Sequence, residues 1–211
     1  APSLVGSEMC IRDSFRTKWG EEIDSYFEVS SVGLPKGMIN RKDEEPKSKD
    51  DWGNVVSEII NNSPLFDIEI SASPFVFGDC DIEVIVKALE NVDGEYNIVI
   101  AITEDSIVDW QKNGSYDDSV YVHNHVLRAI INNTWGENLK SSNNYSANEE
   151  INLSYNISIS SLEQFNINHS TNELFMGNGN TGAWDTNKLN IVAYIYNVDN
   201  KEIIQVEELH L

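Results

Sequence analysis

Beyond Pro64 the apolar side chains tend to fall on every second residue, and that spacing dictates most of what the chain can become. Ile151-Asn152-Leu153-Ser154-Tyr155-Asn156-Ile157-Ser158-Ile159 alternates from end to end. Asp67-Ile68-Glu69-Ile70-Ser71 does the same, as do Ile82, Val84 and Val86 within Asp81 to Lys87. Successive strand residues point to opposite faces of a sheet, so each run predicts one buried face and one wet face. Tyr96 to Ile102 follows the Asp93-Gly94 turn signal. Leu189 to Tyr196 and Ile203 to Leu209 flank a turn at Asp199-Asn200-Lys201. The fold class predicted for 64–211 is mainly β, an antiparallel β-sandwich of immunoglobulin or fibronectin type, with a long excursion between 103 and 150.

Residues 15–63 carry a different pattern, that of a partial α/β unit. Ile23, Tyr26 and Phe27 fall at helical spacing within Glu21 to Phe27, and so do Trp52, Val55, Val56, Ile59 and Ile60 behind an N-cap at Asp50 or Asp51. Lys36 to Asn40 is strand-like, Lys42 to Asp50 is a charged loop, and Asn61-Asn62-Ser63-Pro64 ends the second helix and forms a linker. This unit would either pack on the sandwich through Trp52, Val56 and Ile60 or be loose. Leu4 to Ser14 is similar to translated sequencing-adapter DNA, so 1–14 is set aside as a non-native leader.

Charge removes whole classes of function. The chain carries 14 basic against 35 acidic side chains, net −21. Such a surface repels nucleic-acid phosphate and anionic lipid, so nucleic-acid partners and polybasic membrane docking are excluded. No run approaches the ~20 apolar residues of a membrane helix. Membrane association is therefore expected only through a leader or anchor missing from the sequence. Cys10 and Cys80 form no CxxC pair and are read as two free thiols, with a Cys10–Cys80 disulfide as the alternative.

Few residues suggest chemistry. His123 and His125, two apart on a strand, would share a face and can serve one metal ion, with a carboxylate from Glu104, Asp105, Asp117 or Asp118. The alternative gives both imidazoles backbone or carboxylate partners. Arg128 is the one arginine after Arg41, in an acidic unit, and is expected to be buried and ion-paired, or else to anchor a ligand together with Glu104 and Asp105. Glu104 and Asp105, being adjacent, should point apart, with Ser106 to Trp110 as a short helical turn. Gly177-Asn178-Gly179-Asn180-Thr181-Gly182 has the letters of a dinucleotide fingerprint, but Trp184 and a strand follow it rather than a helix, so no cofactor is expected. Leu174, Phe175, Met176 and Trp184 beside that loop are expected to pack under its edge, the alternative being a small recognition patch. Asp105-Ser106-Ile107 and Asp118-Ser119-Val120 fit a D-[ST]-aliphatic O-glycosylation pattern. No G-x-S-x-G elbow or placed Cys/His pair is present, and no enzyme activity is expected.

Three stretches together resemble a known family. Glu104-Asp105-Ser106-Ile107-Val108-Asp109-Trp110-Gln111, Tyr121-Val122-His123-Asn124-His125-Val126-Leu127-Arg128 and Trp135-Gly136-Glu137 look like the signature of the outer membrane protein 28 related family. Val32 to Arg41 is similar to its G-x-P-x-G-x-x-N-R segment. The resemblance covers 15–211. It implies an exported protein of a Gram-negative bacterium, outer membrane-associated or extracellular, with a thioredoxin-like domain followed by a β-sandwich. Residues 15–63 would then be the C-terminal part of the thioredoxin-like domain, with Pro35 at its cis-proline position, and 64–211 the sandwich. The CxxC pair of such a domain has no counterpart here. The function expected is a non-enzymatic binding or adhesion module for a protein or glycan ligand. The alternatives are a truncated thiol-redox protein and a metal-binding domain centred on His123 and His125.

Overall fold

Tyr96 to Glu104 and Leu189 to Tyr196 carry buried side chains on nearly every residue, which is the mark of strands covered on both faces. In the computed structural model, which describes residues 15–32, 36–113, 116–173 and 183–211, they lie side by side at the centre of the larger sheet. Nine longer strands are present among the described residues: β1 (Phe66–Ala72), β2 (Asp79–Ala88), β3 (Tyr96–Glu104), β4 (Ile107–Asn113), β5 (Tyr116–His123), β6 (Val126–Ile130), β7 (Glu150–Ser158), β8 (Leu189–Asn197) and β9 (Ile203–His210). The helices are α1 (Lys18–Phe27), α2 (Trp52–Ile59) and α3 (Ile159–Asn168).

The larger sheet runs β6–β3–β8–β9 and the smaller β7–β2–β1, with every pairing antiparallel. In the smaller sheet the alternation works as the sequence predicts. Ile68 and Ile70 of β1 and Ile82, Val84 and Val86 of β2 are buried, while Asp67, Glu69, Asp81 and Glu83 face water. The two sheets close on each other at one end through Phe66, Tyr96 and Tyr145, whose rings meet edge to face at 5.2–5.8 Å. Tyr96 places the even-numbered residues of β3, including Ile98, Ile100 and Ile102, toward the smaller sheet.

The second face of β3 and β8 is covered by the N-terminal segment. Thr17 caps α1 by accepting from the Gly20 N–H at 3.1 Å, and Trp19, Ile23 and Phe27, one helical turn apart, are buried in the same core as the sheets. Helix α2 behaves differently. It has no buried residue, and Val56 and Ile60 are exposed. Trp52 rests on the backbone of Gly37, where a Cβ would lie 2.8 Å from the indole, and donates to the Lys47 carbonyl at 3.2 Å. The expected docking of α2 on the sheets through Trp52, Val56 and Ile60 is therefore replaced by packing of Trp52 within its own segment.

Other expectations are corrected too. The strand predicted through Ile159 stops at Ser158, and Ile159 begins α3, with Ile159 and Leu162 turned inward at helical spacing. Ser106 to Trp110 is not a helical turn. Ser106 has φ 57° and β4 starts at Ile107, paired with β5 as a hairpin inside the predicted excursion. The strand-like segment from Lys36 shrinks to Lys36–Gly37, paired with Lys47–Ser48. Among the described residues no helix is long and apolar enough to cross a membrane.

Candidate functional site

Three groups of polar and aromatic residues stand out, and the first contains most of the residues singled out from sequence. Strand β6 has a bulge. Ala129 pairs with Ile102 and Leu127 with Thr103, so Arg128 is the extra residue, and a bulge re-aims its side chain. Arg128 Nε donates to Glu104 Oε2 at 2.7 Å, and both side chains are almost wholly buried. Glu104 Oε1 accepts from the Asp185 N–H at 3.1 Å, and the Arg128 carbonyl accepts from Asn166 of α3 at 2.7 Å. The guanidinium also lies 5.5 Å from the Phe15 ring and 5.8 Å from that of the buried Trp184. Burial pushes the Arg128 pKa down, and Glu104 opposes that shift.

Asp105 points away from this pair. Its carboxylate accepts from the His125 backbone N–H at 2.6 Å and from the Asn190 amide at 2.9 Å. Burial works to raise the Asp105 carboxyl, but these two hydrogen bonds and the charges of His125 and His210 outweigh it and hold the group below its usual range. His125 Nδ1 stands 3.5 Å from Asp105 and Nε2 3.2 Å from Glu208 of β9. Asn190 also contacts His210 Nδ1 at 2.5 Å.

The histidines have separate surroundings. Strand β5 ends at His123, and His125 lies beyond it at φ 53°, so strand alternation does not relate the two rings. His123 is buried between the rings of Phe15 and Tyr121, at 5.3 and 4.7 Å, whereas His125 faces the carboxylates of Asp105 and Glu208. Among the described residues no three His, Cys, Asp or Glu side chains gather as a metal-holding group. The Asp117 side chain, Pro35, Cys10, the 177–182 loop and Leu174 to Met176 lie outside the described residues. Cys80 is a buried free thiol whose Sγ lies 3.1 Å from the Ser73 carbonyl, and burial pushes its pKa up.

The second group is built on Arg41, the last residue of the Val32 to Arg41 motif. Its backbone is left-handed, at φ 54°, and its buried guanidinium is enclosed by four rings: Phe27, Trp135, Tyr194 and Tyr196, with centroids at 5.1–5.8 Å. Nη2 donates to the Tyr194 hydroxyl at 2.9 Å, and Nη1 has no hydrogen-bond partner. Trp135 is fixed by its neighbour. Gly136 has φ 66°, and a Cβ there would fall 2.0 Å from the Ile98 carbonyl oxygen, so only glycine lets this loop lie on β3. The Trp135 carbonyl accepts from Asn97 and Tyr196 at 2.9 and 2.8 Å. Two stretches far apart in sequence, ending at Arg41 and starting at Trp135, thus meet over the larger sheet.

The third group is open to solvent. A shallow depression of about 510 Å³ lies over the outer face of α1, lined by Lys18, Glu21, Glu22, Ser25 and Tyr26 from the helix, with Trp135 and His169 closing its sides. The half-exposed Tyr26 ring meets Trp135 at 4.9 Å. His169 Nε2 lies 3.2 Å from Glu21 Oε2, and Thr134 donates to Glu22. Aromatic edges thus stand beside two carboxylates, an ammonium group, a hydroxyl and an imidazole. No sequence motif marks this site. Tyr26 sits inside an amphipathic helix pattern that explains it as core, and His169 has no local motif.

The family model for "Outer membrane protein Omp28" matches residues 20–211. The chain is similar to a domain of the outer membrane lipoprotein Omp28 from Porphyromonas gingivalis, at 18% identity over 70% of this chain and 88% of that one, with a TM-score of 0.43. It is also similar to HBP35 of Porphyromonas gingivalis, at 9% identity over 75% of this chain, with a TM-score of 0.52. The chain spans 45% of that protein's length, and the likeness is one of fold. A GH3 beta-glucosidase of Bifidobacterium adolescentis matches at 10% identity over 70% of this chain and 17% of the enzyme, with a TM-score of 0.30. No curated protein sequence matches.

Proposed function

The chain belongs to the outer membrane protein Omp28 family, over residues 20–211, and from that premise we propose that it is a non-enzymatic binding module of the cell envelope. Family membership places it at the outer membrane or elsewhere in the envelope. One observation carries the reading. The motif residues Arg128, Glu104 and Arg41 are buried and engaged within the fold, while the depression beside Tyr26 and Trp135 opens aromatic edges and the partly exposed carboxylates of Glu21 and Glu22 to solvent. A pyranose ring offers C–H groups to aromatic side chains and hydroxyls to carboxylates, so a glycan fits the lining best. A shallow, open site suits display on a surface rather than enclosure of a reaction.

The finer architecture belongs to the same proposal. We read 64–211 as an immunoglobulin-like sandwich, supported by two antiparallel sheets sharing one core. We read 15–63 as the C-terminal part of a thioredoxin-like unit preceded by a non-native leader, 1–14. The uncovered apolar stripe of α2 supports this, since such a stripe suits a helix that packs on further structure.

A printed-glycan array probed with the purified chain tests the function. Binding to a defined saccharide, lost in Tyr26→Ala with unchanged melting temperature, is the expected result. Binding retained in Tyr26→Ala, or no saccharide bound at any concentration, contradicts it.

A further inference from the structure

Two protrusions at one end of the sheets expose apolar side chains that the fold does not use. The first is the turn between β1 and β2. Val76 and Asp79 exchange both backbone hydrogen bonds, at 2.9 and 3.0 Å, and enclose a two-residue loop, Phe77-Gly78, with φ 56° and 90°. Both values are positive, the geometry of a type I′ turn, whose first central position favours Asn, Asp or Gly. Phe77 instead holds a bulky side chain in left-handed backbone, and that side chain is wholly exposed, with Val76 exposed next to it. The turn is pinned from behind by the Ile159 N–H to the Gly78 carbonyl, 2.9 Å. An aromatic residue at this position strains the backbone and contacts no core.

The second protrusion is the β4–β5 hairpin, which pairs with no other strand among the described residues. Val108 stands opposite Val122, and Val120 lies two residues before Val122, at an irregularity in the pairing. All three valines are exposed. Both protrusions lie at the same end. Phe66 at the start of β1 meets Tyr96 at the start of β3, so the β1–β2 turn lies at the far end of the sheets, where Glu104 leads into β4. Residues 70–75 and 209–211 line one cleft there.

We propose that this end docks on a zwitterionic phospholipid surface, with Val76, Phe77 and the exposed valines Val108, Val120 and Val122 entering between the headgroups. A convex turn such as Phe77-Gly78 buries itself in a deformable apolar medium more readily than against a second rigid surface. The family places the chain where such a surface is present. Charge selects the lipid. Asp79 follows the Phe77 turn directly, and Asp118 accepts from the Val120 N–H at 3.0 Å. These carboxylates complement the ammonium groups of ethanolamine or choline headgroups, and the net charge of −21 repels an anionic bilayer.

Co-sedimentation of the full chain with sucrose-loaded vesicles tests the proposal, using phosphatidylethanolamine and phosphatidylcholine with and without added phosphatidylglycerol. The chain should pellet with neutral vesicles, and phosphatidylglycerol should reduce the bound fraction. Phe77→Asn should lower binding about tenfold while keeping or raising the melting temperature, because Asn suits the turn. Val108→Ser with Val120→Ser should weaken binding from the other protrusion. The proposal is overturned by failure to pellet with neutral vesicles, by stronger pelleting with phosphatidylglycerol, or by Phe77→Asn binding as tightly as the parent. A Phe77→Asn variant that alters only self-association would assign the tip to a second copy of the chain, and that also overturns it.

Discussion

Arg128 Nε stands 2.7 Å from Glu104 Oε2, in an ion pair 3% and 5% exposed. Removing one member strands a charge, so Glu104→Ala or Arg128→Ala should lower unfolding free energy by about 3–5 kcal/mol. Replacing both together, Glu104→Leu with Arg128→Met, should recover much of that loss. Urea unfolding of the single and double variants checks the cycle, and additive losses in the double variant would contradict it.

Arg41 makes a similar claim without a carboxylate. Its Nη2 donates to the Tyr194 hydroxyl, and its Nη1 is already without a partner. Tyr194→Phe keeps the ring but removes the acceptor, which should cost about 2 kcal/mol. Arg41→Lys should not preserve stability, because an ammonium lacks the planar face that four rings enclose. Thermal melts of both variants measure the effect.

Gly136→Ala places a methyl group 2.0 Å from the Ile98 carbonyl oxygen at a φ of 66°. Backbone has to move, and with it Trp135. The expected cost is about 3 kcal/mol or more, read as a lower denaturant midpoint and altered tryptophan fluorescence.

Asp105 predicts a pH dependence. Its carboxyl is held below the usual range in the folded chain, whereas the unfolded value is about 3.9. The folded state therefore binds fewer protons there. The resulting stability is fully present above the unfolded value and is lost as pH falls through the lower folded value. Melting temperatures taken from pH 6 down to pH 3 should fall more steeply for the parent than for Asp105→Asn.

How much was legible in sequence depends on how local each cause is. The turn signals beside them located β3, β8 and β9, while alternation located β1, β2 and β7, because a strand with one wet face needs one apolar residue in two. It also carried the strand one residue too far at Ile159, since Ile157 and Ile159 continue the alternation while Ile159 and Leu162 begin a helical one. The β4–β5 hairpin was missed although Asn113-Gly114 is a turn signal. Arg128 was legible because a lone arginine among carboxylates must be paired. The Arg41 enclosure was not, because its rings come from positions 27, 135, 194 and 196, and only the closed fold brings them together. The separate settings of His123 and His125 turn on one positive φ, at His125, which no residue pattern announces.

The central claim is that buried motif residues hold the fold while the depression over α1 meets the ligand. Titrating an array-selected oligosaccharide into isotope-labelled chain and following amide and indole resonances tests it most directly. The predicted result is chemical-shift change concentrated at residues 18–26, the Trp135 indole and His169. Change centred instead on Glu104, Asp105, His125 and Arg128 would contradict it.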